Sequence, residues 1–246
     1  MDRLGSYSTL DEYAMDSEGA VIPLYKGFQG DYAEQMSSLV GAGRVPCSIA
    51  DFLARRFFFD EEKMFRESTP KEIRMCANSW YKEGETGDMI AYHPNGNFKI
   101  VLDAELLRKI SREQISFIRG RGALVLPDGM YETLAGNEFR RSDVKVKSGR
   151  STTIEEAKAD PVWQFTARDK ELLNAYADRI SQITKTWDGF DRAMGIILDG
   201  IPERPIARPL SLGCLRYFSK LSGLHSLYDT DGCLVGKIPT KGDKDE

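Results

Sequence analysis

The chain has 246 residues, of which 41% are hydrophobic and 29% charged, and its formal net charge is −4. This composition is typical of a globular protein with a sizeable core, and the negative charge argues against nucleic-acid binding over the whole surface. Four cysteines without a C-x-x-C pair and only two histidines argue against a disulfide framework, a cysteine-rich zinc site and a multi-histidine metal site.

The sequence carries no membrane signal. No window approaches the ~18 consecutive apolar residues that a spanning helix needs. Residues 1–20 lack the basic start and apolar centre of a signal peptide and are acidic instead. We therefore expect a soluble, cytoplasmic protein without a membrane partner and without a cofactor.

The N-terminal third predicts an edge strand followed by helices. Residues 21–25 favour the edge strand because Pro23 cannot donate to a central ladder. Residues 31–40 have helical spacing and end at two glycines. Ser48 is expected to cap a helix from Ile49 to about Arg56, and Thr69, followed by proline and glutamate, to start another.

The stretch from residue 88 to 129 carries the densest local signals. Residues 89–93 and 98–102 predict a hairpin, because Asn95 and Gly96 tolerate the positive φ of a type I′ turn. Asp103 is predicted to cap a short helix to Ile110. Residues 111–114 form a capping-box pattern, which predicts a second helix ending near residue 120. Residues 123–126 then predict a strand.

The C-terminal part reads as more helical. Residues 153–160 predict a short helix and residues 166–169 the start of a long one to about Thr184. Asp188 and Ser211 are expected to cap two further helices, with residues 200–210 as an extended connector. A second hairpin is predicted from residues 224–228 and 233–238.

These elements predict an α+β fold of short hairpins packed on helices, with a more helical C-terminal part. A change of composition near residues 150–162 divides the chain into two predicted lobes, 1–150 and 162–240, followed by a frayed tail at 241–246. A single domain is the alternative, and the sequence leaves the oligomeric state undetermined.

Residues 139–153 form a basic segment. Five cations oppose Asp143 alone, a net charge of +4: Arg140, Arg141, Lys145, Lys147 and Arg150. Val144 and Val146 alternate with charged residues, as in a solvent-facing edge strand. We expect a non-enzymatic binding or adaptor protein whose basic segment contacts an anionic partner, either protein carboxylates or nucleic-acid phosphates. Acidic residues 1–20 could instead neutralise the segment within the chain.

The alternative function is a metal-dependent phosphodiesterase or nuclease. Pro127-Asp128 followed by Asp143-Val144-Lys145 fits a loose PD…DxK pattern. In such a site Asp128 and Asp143 would hold Mg²⁺, and Lys145 would position a water nucleophile. The pattern is unspecific, because residues 127–129 are also a turn signal.

Overall fold

The computed structural model describes residues 13–15, 21–23, 25–58, 84–146, 153–184, 194–213, 219–230 and 232–239. The helix predicted from Thr69, the start of the helix predicted from Asp188 and the predicted tail 241–246 lie outside the described residues.

Thirteen strands lie within these ranges. They are β1 Tyr13–Met15, β2 Val21–Pro23, β3 Tyr25–Phe28, β4 Val45–Pro46, β5 Gly84–Tyr92, β6 Phe98–Val101, β7 Ile115–Ile118, β8 Arg121–Val125, β9 Asn137–Phe139, β10 Ile196–Ile197, β11 Ile206–Leu212, β12 Leu221–Ser222 and β13 Leu234–Lys237. Strands β1 and β2 form a separate antiparallel pair, and the other eleven form one sheet.

The sheet is mixed and is built around β5 and β11. Its main path runs β10-β12-β11-β5-β13-β3, and β8 also pairs with β11. Strands β5 and β11 are antiparallel, in a register from Ile206 opposite Tyr92 to Leu212 opposite Gly84. The pairs β5–β13 and β10–β12 are parallel. The sheet therefore takes strands from both predicted lobes.

Seven α-helices accompany the sheet in the described ranges. They are α1 Tyr32–Gly41, α2 Ile49–Phe58, α3 Glu105–Arg108, α4 Met130–Thr133, α5 Ile154–Lys158, α6 Pro161–Ala167 and α7 Lys170–Thr184. The predictions of α1, α2, α5 and α7 are confirmed. Their N-termini are capped as the sequence indicates, for example by Asp31 on Glu34 and by Thr153 on Glu156.

Two apolar cores lie on opposite faces of the sheet. Successive side chains of a strand point to opposite faces, so Ile90 and Tyr92 of β5 pack in one core while Met89 and Ala91 pack in the other. Helices α2, α6 and α7 cover the first face and α1 and α3 the second. Strand β5 is therefore buried on both faces.

The predicted α+β class is wrong, and the C-terminal part is the main cause. Residues 206–210 of the expected connector and the first two residues of the helix expected from Ser211 form strand β11, whereas residues 214–218 of that helix lie outside the described residues. All seven residues of β11 are buried between neighbouring strands, which tertiary pairing favours over local helical spacing. Pro209 fits because the register shifts there, at an irregularity between Pro209 and Ser211.

Two further elements also differ from their predictions. The helix expected at residues 111–120 is one 3₁₀ turn, Arg112–Gln114, followed by strand β7. The second predicted hairpin is absent from its described residues, because β13 pairs with β3, β4 and β5. The Asn95-Gly96 hairpin is confirmed, but only Gly96 has positive φ, so the turn is not type I′.

A buried carboxylate joins three parts of the chain. Asp88 accepts hydrogen bonds from the amides of Ile49 (2.7 Å) and Asp103 (2.9 Å) and from the guanidinium of Arg168 (3.0 Å). Asp103, with φ 49°, pairs with Arg168 and does not cap α3 as predicted. Burial raises the pKa of Asp88 from 3.8 to about 6, although Arg168 opposes the shift.

The raised pKa predicts a specific pH dependence. Between pH 3.8 and about 6 the folded state binds more protons at Asp88 than the unfolded state does, so this group lowers the free energy of unfolding as pH rises. Relative to Asp88→Asn, the wild type should lose on the order of 3 kcal/mol across that window. Urea unfolding at a series of pH values measures the difference.

Asp143→Asn is the control, because that exposed carboxylate accepts hydrogen bonds from two exposed neighbours, the amide of Arg140 and the hydroxyl of Ser142. A wild type that gains stability relative to Asp88→Asn as pH rises would contradict the assignment.

Candidate functional site

An open cleft of about 760 Å³ lies between the β7–β8 hairpin and the loop that precedes β11. We call it the β7–β8 cleft. It is lined by Phe117, Ile118, Arg119, Ile201, Pro202, Glu203, Arg204 and Ile206.

Apolar side chains are unusually exposed in this cleft. Phe117 is 71% exposed and Ile201 is 51% exposed. Among the described residues, the one other large hydrophobic residue exposed to this degree is Val40 on α1, at 47%. Exposed apolar groups that share a concave surface with polar residues around them are typical of interaction sites.

The turn of the hairpin positions a cation at the cleft. Arg119 and Gly120 both have positive φ, 51° and 80°, as a two-residue type I′ turn requires. The Arg119 guanidinium donates to the Ile201 carbonyl at 2.6 Å. It also packs over Gly200, where an added Cβ would lie 2.5 Å from it. Arg119 therefore joins the hairpin to the loop.

The loop is anchored one residue earlier by Asp199. Its carboxylate accepts the amide of Gly200 (2.7 Å) and the guanidinium of Arg208 (3.1 Å). Its own amide donates to the hydroxyl of Tyr92 (3.1 Å), and its carbonyl accepts the guanidinium of Arg141. The side chain and the backbone of Asp199 are therefore both held by hydrogen bonds.

Arg208 on β11 is fully buried and joins the loop to the hairpin from below. Besides Asp199, its guanidinium donates to the carbonyls of Ile118 (3.2 Å) and Gly122. Burial lowers the pKa of Arg208, and Asp199 opposes that shift. The ion pair therefore fixes the floor of the β7–β8 cleft.

Tyr92 completes this anchor. Its hydroxyl donates to the Gly223 carbonyl at 3.0 Å while it accepts from Asp199. Burial raises the pKa of Tyr92, which keeps the hydroxyl protonated. A Cβ at position 223 would lie 2.2 Å from this oxygen, so glycine is required for the close approach.

One described residue of the basic segment, Arg141, contacts the Asp199 anchor of the cleft. Arg140 and Lys145 are exposed. Arg141 is half-buried, bonded to the carbonyl of Asp199 and lying over the Tyr92 ring at 5.7 Å. Val144 and Val146 are buried as their alternation indicates, although residues 141–146 form turns and bends and not an edge strand. Lys147 and Arg150 lie outside the described residues.

The three residues of the nuclease interpretation lie in turns. Asp128 is exposed ahead of α4, and Asp143 accepts the amide of Arg140 at 2.9 Å. The amide of Lys145 donates to Asp160 at 2.7 Å. Within the described residues, no group of three or more His, Cys, Asp or Glu side chains could hold a metal ion. The phosphodiesterase stays a prediction.

Sequence reasoning missed the residues at the centre of the cleft. The sequence predicts Phe117 in the helix that ends near residue 120 and Ile201 in the extended connector at residues 200–210. The Arg119-Gly120 pair could have indicated a hairpin turn between the apolar runs at residues 115–118 and 123–126, because Gly at that position favours positive φ. Nothing local identifies Arg208 as the ion-pair partner of Asp199.

Comparisons with known proteins identify a fold and no family. No family model matches the chain, and no curated protein matches it. A solved protein from Nanoarchaeota, in which the C-type lectin fold accommodates massive sequence variation, superposes with a TM-score of 0.56. The match covers 87% of this chain and 95% of the other at 16% identity.

The fold of this chain resembles the C-type lectin fold. The predicted arrangement of hairpins packed on helices is wrong, because the chain instead forms an eleven-stranded mixed sheet that resembles this fold. In addition, none of the helices in the described ranges is long and apolar enough to cross a membrane.

The anchor beneath the cleft can be tested by breaking the ion pair. Asp199→Ala leaves the buried Arg208 guanidinium without its carboxylate, so it should lower the free energy of unfolding by about 3–5 kcal/mol. Lys109→Ala is the control. It breaks an exposed pair with Glu105, a kind of pair worth about 0–1 kcal/mol. Urea unfolding measures both, and equal losses would contradict the proposed anchor.

Proposed function

We propose that the protein is a non-enzymatic binding protein whose recognition surface is the β7–β8 cleft. The observation that carries the proposal is that Phe117 and Ile201, both largely exposed, line one cleft. Aromatic and aliphatic side chains in a concave site are typical anchors for a protein partner. A rigid sheet and a bonded loop hold these two side chains in place before any partner arrives.

Charge favours an anionic partner. Arg119 and Arg204 line the cleft with Glu203 as the acidic residue, and Arg141 is bonded to the Asp199 anchor. The anion-binding role of Arg140, Arg141, Lys145, Lys147 and Arg150 therefore remains part of the proposal. Cations around an apolar centre would speed association and select against basic partners.

The resemblance to the C-type lectin fold agrees with a binding role. The nanoarchaeotal protein accommodates massive sequence variation on this fold. Here the exposed residues 201, 203 and 204 lie on a loop that a buried network supports. We also propose a cytoplasmic location, to which the buried free thiol of Cys47 is suited.

The apolar centre predicts the first binding result. Phe117→Ser and Ile201→Ser should each weaken capture of the native partner by about 30-fold or more, because an interface anchor contributes about 2 kcal/mol or more. Quantitative affinity capture from the native cell, followed by titration of the captured partner, measures the effect.

Val40→Ser is the matched control, since it removes the third exposed hydrophobic residue from a different surface on α1. A partner that is lost equally in all three variants, or in none, would remove the cleft from the proposal.

The cations predict a second result. Arg140→Glu combined with Lys145→Glu should slow association with the same partner by about tenfold at low salt and should flatten its salt dependence. Lys109→Glu, which reverses one exposed cation just after α3 where the double variant reverses two, should leave the rate unchanged. Stopped-flow association at several salt concentrations gives both quantities, and a salt-independent wild type would contradict an anionic partner.

A further inference from the structure

The second half of strand β7 forms an open edge of the sheet. At the start of the strand the Ile115 carbonyl accepts the Tyr228 hydroxyl at 2.7 Å, and the Ile115 amide donates to the Arg112 carbonyl. Within the described residues β7 pairs with β8 alone, whereas β8 also pairs with β11. The strand contains neither lysine nor proline, two residues that commonly block an edge. Phe117 lies in its second half and is the most exposed large hydrophobic residue described.

The hairpin register decides which backbone groups face that edge. A two-residue turn makes Ile118 and Arg121 the hydrogen-bonded pair, so Phe117 and Gly122 form the next, non-hydrogen-bonded pair. In a non-hydrogen-bonded pair the backbone groups of each residue point away from the partner strand. Gly122 accordingly bonds on the side away from β7: its amide donates to the Ser226 hydroxyl and its carbonyl accepts the Leu227 amide. The amide and carbonyl of Phe117 point outward on the opposite side.

The edge and the cleft are one continuous surface. Phe117 and Ile118 of β7 line the cleft together with Arg119 at the turn. Across the cleft, Ile201 supplies a second exposed apolar group and Arg204 a second cation. A strand laid along β7 would therefore bring alternate side chains to an apolar centre and to a rim with a net positive charge, two arginines against Glu203.

We propose that the partner presents an extended acidic peptide segment that adds to β7 as a further antiparallel or parallel strand. The backbone of the segment bonds to the amide and carbonyl of Phe117. One apolar side chain packs between Phe117 and Ile201, and flanking carboxylates meet Arg119 and Arg204. This inference rests on the proposed function, because it names the partner chemistry of the same cleft.

Strand addition explains why backbone and side chains would both contribute. Main-chain hydrogen bonds supply affinity without regard to sequence, and pockets for alternate side chains supply selectivity. A nucleic acid could satisfy the arginines but could not continue the sheet, because it lacks the alternating amides and carbonyls of a strand. The peptide is therefore the partner that uses every feature of this surface.

The experiment pans a phage-displayed library of random dodecapeptides on the full chain and then measures synthetic copies of the enriched peptides. We expect enriched sequences in which acidic residues alternate with apolar ones. N-methylation of the backbone amides that face β7 should weaken binding about tenfold or more, and so should replacement of the acids by lysine. N-methylation of the amides that face away from β7 is the matched control and should have little effect.

The outcomes distinguish a failure of strand addition from a failure of the cleft as the binding surface. If binding depends on Phe117 and Ile201 but both N-methylated peptides bind as the parent does, strand addition is overturned and the cleft remains the binding surface. If Phe117→Ser, Ile201→Ser and Val40→Ser all bind the peptides equally well, the cleft itself is overturned. Enrichment of basic or neutral peptides, failure to enrich any peptide, or equal competition by oligothymidylate also overturns the acidic segment.

Discussion

The ion pair between Asp199 and Arg208 holds the candidate site together. Both side chains are buried, and a charge in such a place is tolerated only when it is paired and fully hydrogen-bonded. Arg208 meets this requirement by donating to the carbonyls of Ile118 and Gly122 as well as to Asp199. The hairpin and the loop consequently share one anchor, although they are far apart in the sequence.

The anchor depends in turn on a sheet that is buried on both faces. Strand β11 carries Arg208 and pairs with β5 on one side and β8 on the other. Strand β5 supplies Tyr92, whose hydroxyl bonds to Asp199 and to Gly223. Two apolar cores exclude water from these bonds, and hydrogen bonds are electrostatically stronger where water is excluded. The rigidity of the cleft is therefore a property of the whole sheet.

Local patterns predicted the elements whose signals are complete within a short window. The helix Lys170–Thr184 has its cap at Asp169 and buried residues at helical spacing, and the hairpin before Phe98 has its turn residues in place. Strand β11 was missed because its environment comes from β5, which lies far away in the sequence. Residues 211–221 also have apolar spacing that suits a helix, but Ser211 and Leu212, at the described start of that stretch, pair with β5 and β12.

The candidate site was predicted less well than the fold elements, for a related reason. Phe117 and Ile201 are exposed because no other part of the described chain packs over them. A local sequence pattern does not contain that information. The basic segment was identified by charge, and Arg141 does lie near the cleft, but it is bonded to the Asp199 carbonyl and packs on Tyr92. A cluster of basic residues in a sequence does not show which of them are exposed and which are bonded inside the protein.

The loop before β11 is anchored at both ends, and several of its side chains are exposed between the anchors. Asp199 is bonded below, and the carbonyl of Pro205 accepts the Leu126 amide at 3.0 Å. Between these two anchors, the side chains of Ile201, Glu203 and Arg204 face solvent. Arg119 donates to the main-chain carbonyl of residue 201, a group that every residue type possesses. The side chains of Ile201, Glu203 and Arg204 can consequently be substituted without removing any of the hydrogen bonds that anchor the loop.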